Sequence, residues 1–136
     1  MWVGFDGQRH EEDTQAWRLE PDHPVLRQTT TQLEEYFAGA RRDFDVALDL
    51  SCGTPFQQRV WRALLDIGHG QTSSYGAVSQ ALGQPRAVRA VGGAVGRNPI
   101  SILVPCHRVL GSSGSLTGYA GGLDRKIALL ELEGRP

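Results

Sequence analysis

Apolar and polar residues along the chain fall into two periods, and each period predicts elements. Phe44, Val46, Leu48 and Leu50 alternate with Asp43, Asp45, Ala47 and Asp49, the pattern of a strand with one wet face. Trp2 to Phe5 reads as a short strand closed by an Asp6-Gly7 turn, and residues 8–22 as a polar, irregular loop. Pro24 at a first helical position opens a helix striped by Leu26, Leu33, Tyr36 and Phe37 and ended by Gly39. Thr54-Pro55-Phe56-Gln57 is a capping box with proline at the first helical position. Its helix turns Phe56, Val60, Leu64 and Ile67 inward, stops at Gly68, places Trp61 in the core, and leaves Gln58, Arg59 and Arg62 to water. Ser74 caps a short helix that Gly83 closes, and Pro85 opens another running from Arg86 to about Val95. Ile100 to Val104 has the length and β-branched content of a buried strand, stopped by Pro105. A glycine- and serine-rich loop covers Gly111 to Gly122. A last helix spans Leu123 to Glu133, with Leu123, Ile127 and Leu130 facing inward and Gly134 at its end.

Two features carry chemistry. The paired short helices around Gly83 are a helix-turn-helix candidate, and the second is unusually thin, with Ala87, Ala90, Gly92, Gly93 and Ala94. Each glycine costs such a helix about 1 kcal/mol against alanine. Close packing inside the protein or close approach to a nucleic-acid groove are the two uses of that thinness, with Arg86, Arg89 and Arg97 nearby. The second feature is Cys106-His107-Arg108, delivered at the end of the apolar run. A rigid mount suits a reactive sulfur, and neighbouring positive charge favours thiolate over thiol. Adjacent side chains of a strand point to opposite faces, so His107 serves Cys106 only if the chain leaves the strand at Pro105, or if a water links the two.

Composition narrows the class. A chain of 136 residues can bury a core without staples, and no apolar run approaches the ~20 residues of a membrane span. The first residues lack the regions of a signal peptide. Two cysteines give neither a disulfide framework nor metal-ligand spacing, which suits a reducing, cytoplasmic setting; Cys52 reads as a plain small residue. The net charge of −1 divides unevenly: residues 1–50 carry 5 basic and 11 acidic side chains, residues 51–136 carry 9 basic and 4 acidic. A basic C-terminal part suits a polyanionic partner.

Pro105-Cys106-His107-Arg108-Val109, preceded by Arg89-Ala90-Val91-Gly92-Gly93-Ala94 and by Asn98-Pro99, resembles the O6-alkylguanine-DNA alkyltransferase family, from about Thr54 to Gly134. The resemblance implies a mixed α/β fold. Residues 1–52 would form a shortened N-terminal α/β subdomain lacking the family's first hairpin. Residues 53–136 would form a mostly helical domain with the helix-turn-helix and a short strand bearing the cysteine. It implies transfer of an alkyl group from O6 of guanine in double-stranded DNA to Cys106, with binding in the minor groove and extrusion of the base. By the same resemblance His107 acts as base through a bridging water, Glu133 orients it, and Asn98 holds the turn. Arg89 fills the vacated stack and Tyr75 crowds the phosphate, while Arg86, Ala90, Gly92 and Arg97 meet DNA. Tyr119, Val95, Val104, Ser112, Ser113 and Ala120 surround the base, and Tyr119 can donate a proton to it. No second thiol is poised to release the alkyl group, so the protein would act once, without cofactor or metal, as a monomer. The alternatives are a lesion-binding relative that does not react, a cysteine hydrolase, and a plain DNA-binding module.

Overall fold

The computed structural model describes residues 1–8, 22–116 and 118–134, so most of the expected 8–22 loop lies outside the described residues. Helix α1 spans Pro24–Phe37, α2 Pro55–Leu64, α3 Tyr75–Ala81, α4 Val88–Gly96 and α5 Leu123–Leu132. Strands β1, Ser73–Ser74, and β2, Val109–Leu110, pair in parallel with Ser73 opposite Val109. Two 3-10 turns, Cys106–Arg108 and Ser112–Gly114, flank β2. The fold is therefore mixed, predominantly helical with a minimal sheet.

The local signals work as chemistry requires. Thr54 accepts from the Gln57 amide at 3.1 Å, and the Gln57 side chain returns a bond to the Thr54 amide at 3.0 Å. Ser74 caps α3 through the Ala77 amide at 3.0 Å. The main core gathers Val60, Trp61 and Leu64 of α2, Val78 of α3, Val91, Ala94 and Val95 of α4, and Ile100, Leu103, Val104, Cys106 and Val109. Trp61 crosses it and donates its indole N–H to the Ala94 carbonyl at 2.7 Å, tying α2 to α4. The nucleophile candidate is thus part of the core that supports it.

Several expectations change. The 44–50 alternation is real in burial, but among the described residues this stretch joins no ladder. The Gln32 side chain on α1 instead accepts from the Asp45 amide at 2.8 Å, so the extended chain is held by a side chain rather than a strand. Trp2 to Phe5 contributes one bridge, Val3 to Ile100. Helix α4 starts at Val88, because Pro85 and Arg86 form a turn closed by the Ala87 amide on the Gln84 carbonyl at 2.9 Å. Phe37 is 52% exposed, leaving Tyr36 as the buried end of the α1 stripe.

The inward face of α5 is rotated from the expected one: Leu123 and Ile127 are exposed, and Lys126, Leu129, Leu130 and Glu133 are buried. Their spacing, i, i+3, i+4 and i+7, is a regular helical stripe. Two of its four members are charged, which hides it from a hydrophobic pattern.

The Ile100–Val104 run is buried but is not a strand. Asn98 folds it into a loop, donating from Nδ2 to the Val104 carbonyl at 2.8 Å and accepting the Ile100 amide on Oδ1 at 3.0 Å. The Val104 amide returns to the Ile100 carbonyl at 3.0 Å. Within the loop the Leu103 amide reaches the Ser101 carbonyl at 2.9 Å around Ile102, whose φ is +74°. That is a γ-turn of the rare, strained hand. A second, inverse γ-turn follows at Pro105 (φ −83°, ψ 63°), closed by the Cys106 amide on the Val104 carbonyl at 2.8 Å. A short apolar run fixes burial but not extension, because its period is unreadable.

Candidate active site

The double turn aims Cys106 away from the chain's previous direction, and the 3-10 turn that starts there lets consecutive residues face different partners. Cys106 is 4% exposed and lies in the wall of a cavity of about 490 Å³. Tyr75 of α3, the Gly92-Gly93 and Val95–Arg97 stretches of α4, and Gly118, Tyr119 and Ala120 of the following loop form the rest. The thin face of α4 opens onto this space. Among the described residues, a Cβ at Gly92 would find only Tyr75, at 4.0 Å, and one at Gly93 or Gly96 would meet nothing within 4 Å. Internal packing therefore does not account for these glycines, and the approach of something else remains as their use.

A buried polar cluster begins at the next residue of the chain. His107, wholly buried, meets Glu133 Oε2 through Nε2 at 2.8 Å. Arg108 grips the same carboxylate with two bonds, Nε to Oε1 at 2.8 Å and Nη2 to Oε2 at 2.9 Å, and gives Nη1 to the Ile67 carbonyl at 2.6 Å. Tyr36 of α1 donates its hydroxyl to Oε2 at 2.6 Å. Desolvation works against the Glu133 charge, but the bonds from His107, Arg108 and Tyr36 outweigh it and hold the carboxyl well below its usual range. An ionised carboxylate only accepts, so Nε2 carries the imidazole proton. Nδ1, the basic lone pair, is buried without a hydrogen-bond partner among the described residues. Burial, only partly opposed by Glu133, lowers the His107 pKa and keeps the ring neutral.

The expectation that His107 and Arg108 supply positive charge to Cys106 is corrected. His107 is neutral, and Arg108 is paired with Glu133. The cation that acts on Cys106 is Lys126 of α5, wholly buried, with Nζ on the Val109 carbonyl at 2.7 Å. Burial pushes the thiol pKa up, while the Asn98 and Tyr119 side chains and Lys126 act to lower it. The Tyr119 hydroxyl lies beside Cys106 and Ser101 yet is buried outside hydrogen-bonding geometry to any described group. A buried hydroxyl without a partner among the described residues, at the wall of an open cavity, is available to a ligand atom.

Of the residues singled out in the sequence, His107 meets Glu133 directly, and the Asn98 side chain acts on Cys106. Tyr75, Gly92, Val95, Arg97, Tyr119 and Ala120 line the cavity. Arg86, Arg89 and Ala90 are exposed on or before α4. Val104 is fully buried and is not in the cavity wall; its carbonyl is engaged by Asn98. Ser112 is exposed and away from the wall, and the side chain of Ser113 lies outside the described set. The sequence places Tyr36 in an apolar stripe but does not report its hydroxyl's bond to Glu133, the buried Lys126 or the Arg108–Glu133 pairing. The one available signal was the i, i+3, i+4, i+7 spacing of Lys126 and Glu133 with two leucines.

Comparison with known proteins agrees with this geometry. Residues 55–135 match the family described as 6-O-methylguanine DNA methyltransferase, DNA binding domain, and residues 3–50 match its ribonuclease-like domain. The chain is 57% identical over 113 residues to the methylated-DNA--protein-cysteine methyltransferase of Mycobacterium leprae (strain TN), covering 83% of this chain and 68% of that relative. Among solved structures, it is similar to Mycobacterium tuberculosis OGT in complex with DNA, with a TM-score of 0.77 and 60% identity over 79% of this chain and 66% of that one. A second structure, of Mycobacterium tuberculosis O6-methylguanine methyltransferase, gives a TM-score of 0.76 and 54% identity over 88% of this chain and 77% of that one. The chain thus spans about two thirds to three quarters of the length of these relatives.

Proposed function

The chain belongs to the 6-O-methylguanine DNA methyltransferase family, and from that premise we infer that it repairs DNA directly, moving the methyl group of O6-methylguanine to Sγ of Cys106. The observation that carries this reading is Cys106 in the wall of a cavity opened by the α4 glycines, with a Glu133-anchored imidazole on the residue that follows it.

The step is an SN2 displacement. The Cys106 thiol loses its proton to His107 Nδ1 through a bridging water, and the thiolate is the nucleophile. The S–C bond forms as the C–O6 bond breaks, and the electron pair stays on the guanine. The leaving base takes a proton from Tyr119, whose phenol burial keeps protonated, and the imidazolium restores it. Glu133 fixes the tautomer that leaves Nδ1 basic. A thioether is inert to water, so each molecule reacts once and is consumed.

The target atom is inaccessible inside a duplex, so the base is extruded into the cavity. We assign the minor-groove contact to α4, with Arg89 filling the vacated stack, Tyr75 pressing on the phosphate, and Arg86, Ala90, Gly92 and Arg97 along the approach. Damaged guanine in double-stranded DNA is the partner, and the protein works as a monomer in the cytoplasm, where the thiol stays reduced. Residues 53–136 hold the DNA-binding and transfer machinery, and residues 1–52 support it from behind.

The test is the intact mass of the protein after incubation with a duplex containing one O6-methylguanine. The expected result is a gain of one methyl, on Cys106, with no further change and none in Cys106→Ser. An unchanged mass with retained lesion binding would instead make this a non-reacting lesion binder.

A further inference from the structure

Helix α1 carries one polar group into the reaction centre. Tyr36 is 1% exposed, and its hydroxyl reaches across 97 residues of sequence to Glu133 Oε2 at 2.6 Å. We propose that Tyr36 is a positioning residue for the methyl transfer: by sharing Oε2 with His107 Nε2, its hydroxyl sets how strongly Glu133 holds the imidazole proton. The proposal rests on the reading of function above.

The argument starts from the number of donors. A carboxylate oxygen has two in-plane lone pairs, and Oε2 takes three donors: the Tyr36 hydroxyl at 2.6 Å, His107 Nε2 at 2.8 Å and Arg108 Nη2 at 2.9 Å. Donors on one oxygen compete, since each withdraws electron density that the others would use. The Tyr36 bond therefore weakens the pull of Glu133 on His107. Burial, followed by the bond to Glu133, raises the Tyr36 pKa far above its ordinary value, so this hydroxyl stays a donor at every working pH.

A purely structural role fits less well. Arg108 already holds the carboxylate through both oxygens and needs no help to fix its place. The ring of Tyr36 packs on Phe37, Phe44 and His69 with centroids 5.3, 5.5 and 6.1 Å away, contacts that phenylalanine would keep. What the hydroxyl adds is its effect on Oε2. The other titratable and charged groups facing this cluster are Arg108 from the 3-10 turn, Lys126 from α5, Cys106, Tyr119 from the loop before α5, and His69 beside the Tyr36 ring. None of these donates to Oε2 except Arg108.

The experiment is proton NMR of the His107 Nε2–H in the whole protein, with single-turnover transfer followed across pH. In Tyr36→Phe the Nε2–H resonance should move downfield, because Oε2 becomes a better acceptor. The acid limb of the transfer rate should rise by roughly half to one pH unit, the scale of one hydrogen bond to a charged group relayed to a neighbour. Replacing Tyr36 with 3-fluorotyrosine, a more acidic and stronger donor that keeps the packing, should move both readouts the other way. This protein also decides the matter if Tyr36→Phe does not fold. If both variants leave the resonance and the limb where they are and only lower the melting temperature, Tyr36 merely ties α1 to α5 and the proposal is wrong. If the wild type takes up no methyl at any pH, it is the reading of function that fails, and the resonance still reports whether Tyr36 acts on His107.

Discussion

Lys126 Nζ sits 2.7 Å from the Val109 carbonyl with no part of its side chain in water, and from there its charge acts on Cys106. A buried ammonium is costly unless bonded, and burial lowers its own pKa. Its position on the inward stripe of α5 makes the helix an electrostatic support for the thiolate as well as a packing element.

Replacing Lys126 with methionine keeps the stem and removes the charge. Alkylation of Cys106 by iodoacetamide at neutral pH should slow roughly threefold to tenfold, the effect of half to one pKa unit on a mostly protonated thiol. The freed Val109 carbonyl should also cost about 1–3 kcal/mol in urea unfolding. An unchanged alkylation rate would show that Lys126 serves the backbone alone.

The buried cluster makes stability depend on pH with a definite sign. The folded-state pKa of His107 lies below its ordinary value of 6.5, and that of Glu133 below 4.5. A depressed folded value means the unfolded chain binds the proton first, so stability is complete above the unfolded value and is lost as pH falls. Denaturant midpoints should therefore decline below pH 6.5 and more steeply below 4.5. In Glu133→Gln the buried Arg108 charge loses its partner, which should cost about 3–5 kcal/mol near neutrality and remove the steeper acid phase.

Gly93 separates fold from binding. A Cβ there meets nothing within 4 Å, and alanine is the better helix former. Gly93→Ala should raise stability by about 0.5–1 kcal/mol. Gly93→Gln should fold as well as alanine does but bind duplex DNA more weakly, read by fluorescence anisotropy. Full affinity in the glutamine variant would mean that α4 does not approach DNA with this face.

Arg89 is exposed on α4. Arg89→Ala should leave the melting curve within about 0.5 kcal/mol of wild type. If Arg89 fills a vacated stack, the variant should slow methyl uptake from duplex far more than from a single strand. A plain phosphate contact would instead reduce the salt slope of binding by about one and slow both substrates alike.

How much of this was legible in the sequence depends on what kind of force fixes each part. The caps at Thr54 and Ser74 act within three residues, so they could be read directly. Cys106-His107 stood out because apolar residues lead straight to them. The run before them proved to be a loop, since its shape depends on the two bonds of Asn98. The rotated face of α5 was hidden because hydrophobic patterns treat Lys126 and Glu133 as wet. The pairing of Glu133 with Arg108 and with Tyr36 spans 25 and 97 residues, and no local pattern reports it. The residues singled out for chemistry were legible one by one, whereas the long-range contacts that hold Glu133 in place were not.

Ile102 has a wider consequence. A β-branched residue at φ +74° is unfavourable by itself, and Ile102 is held there in a buried cluster with Tyr36 and Leu129. The bend that presents the sulfur is therefore fixed twice, by the Asn98 bonds within its own segment and by the packing of Ile102 with residues of α1 and α5. Placement of the sulfur should then share the fate of tertiary structure: partial loosening of either helix would let the bend relax and move Cys106 out of the cavity wall before the protein unfolds. A sulfur that can be used once thus meets its substrate in the right geometry only in a chain whose distant parts have come together.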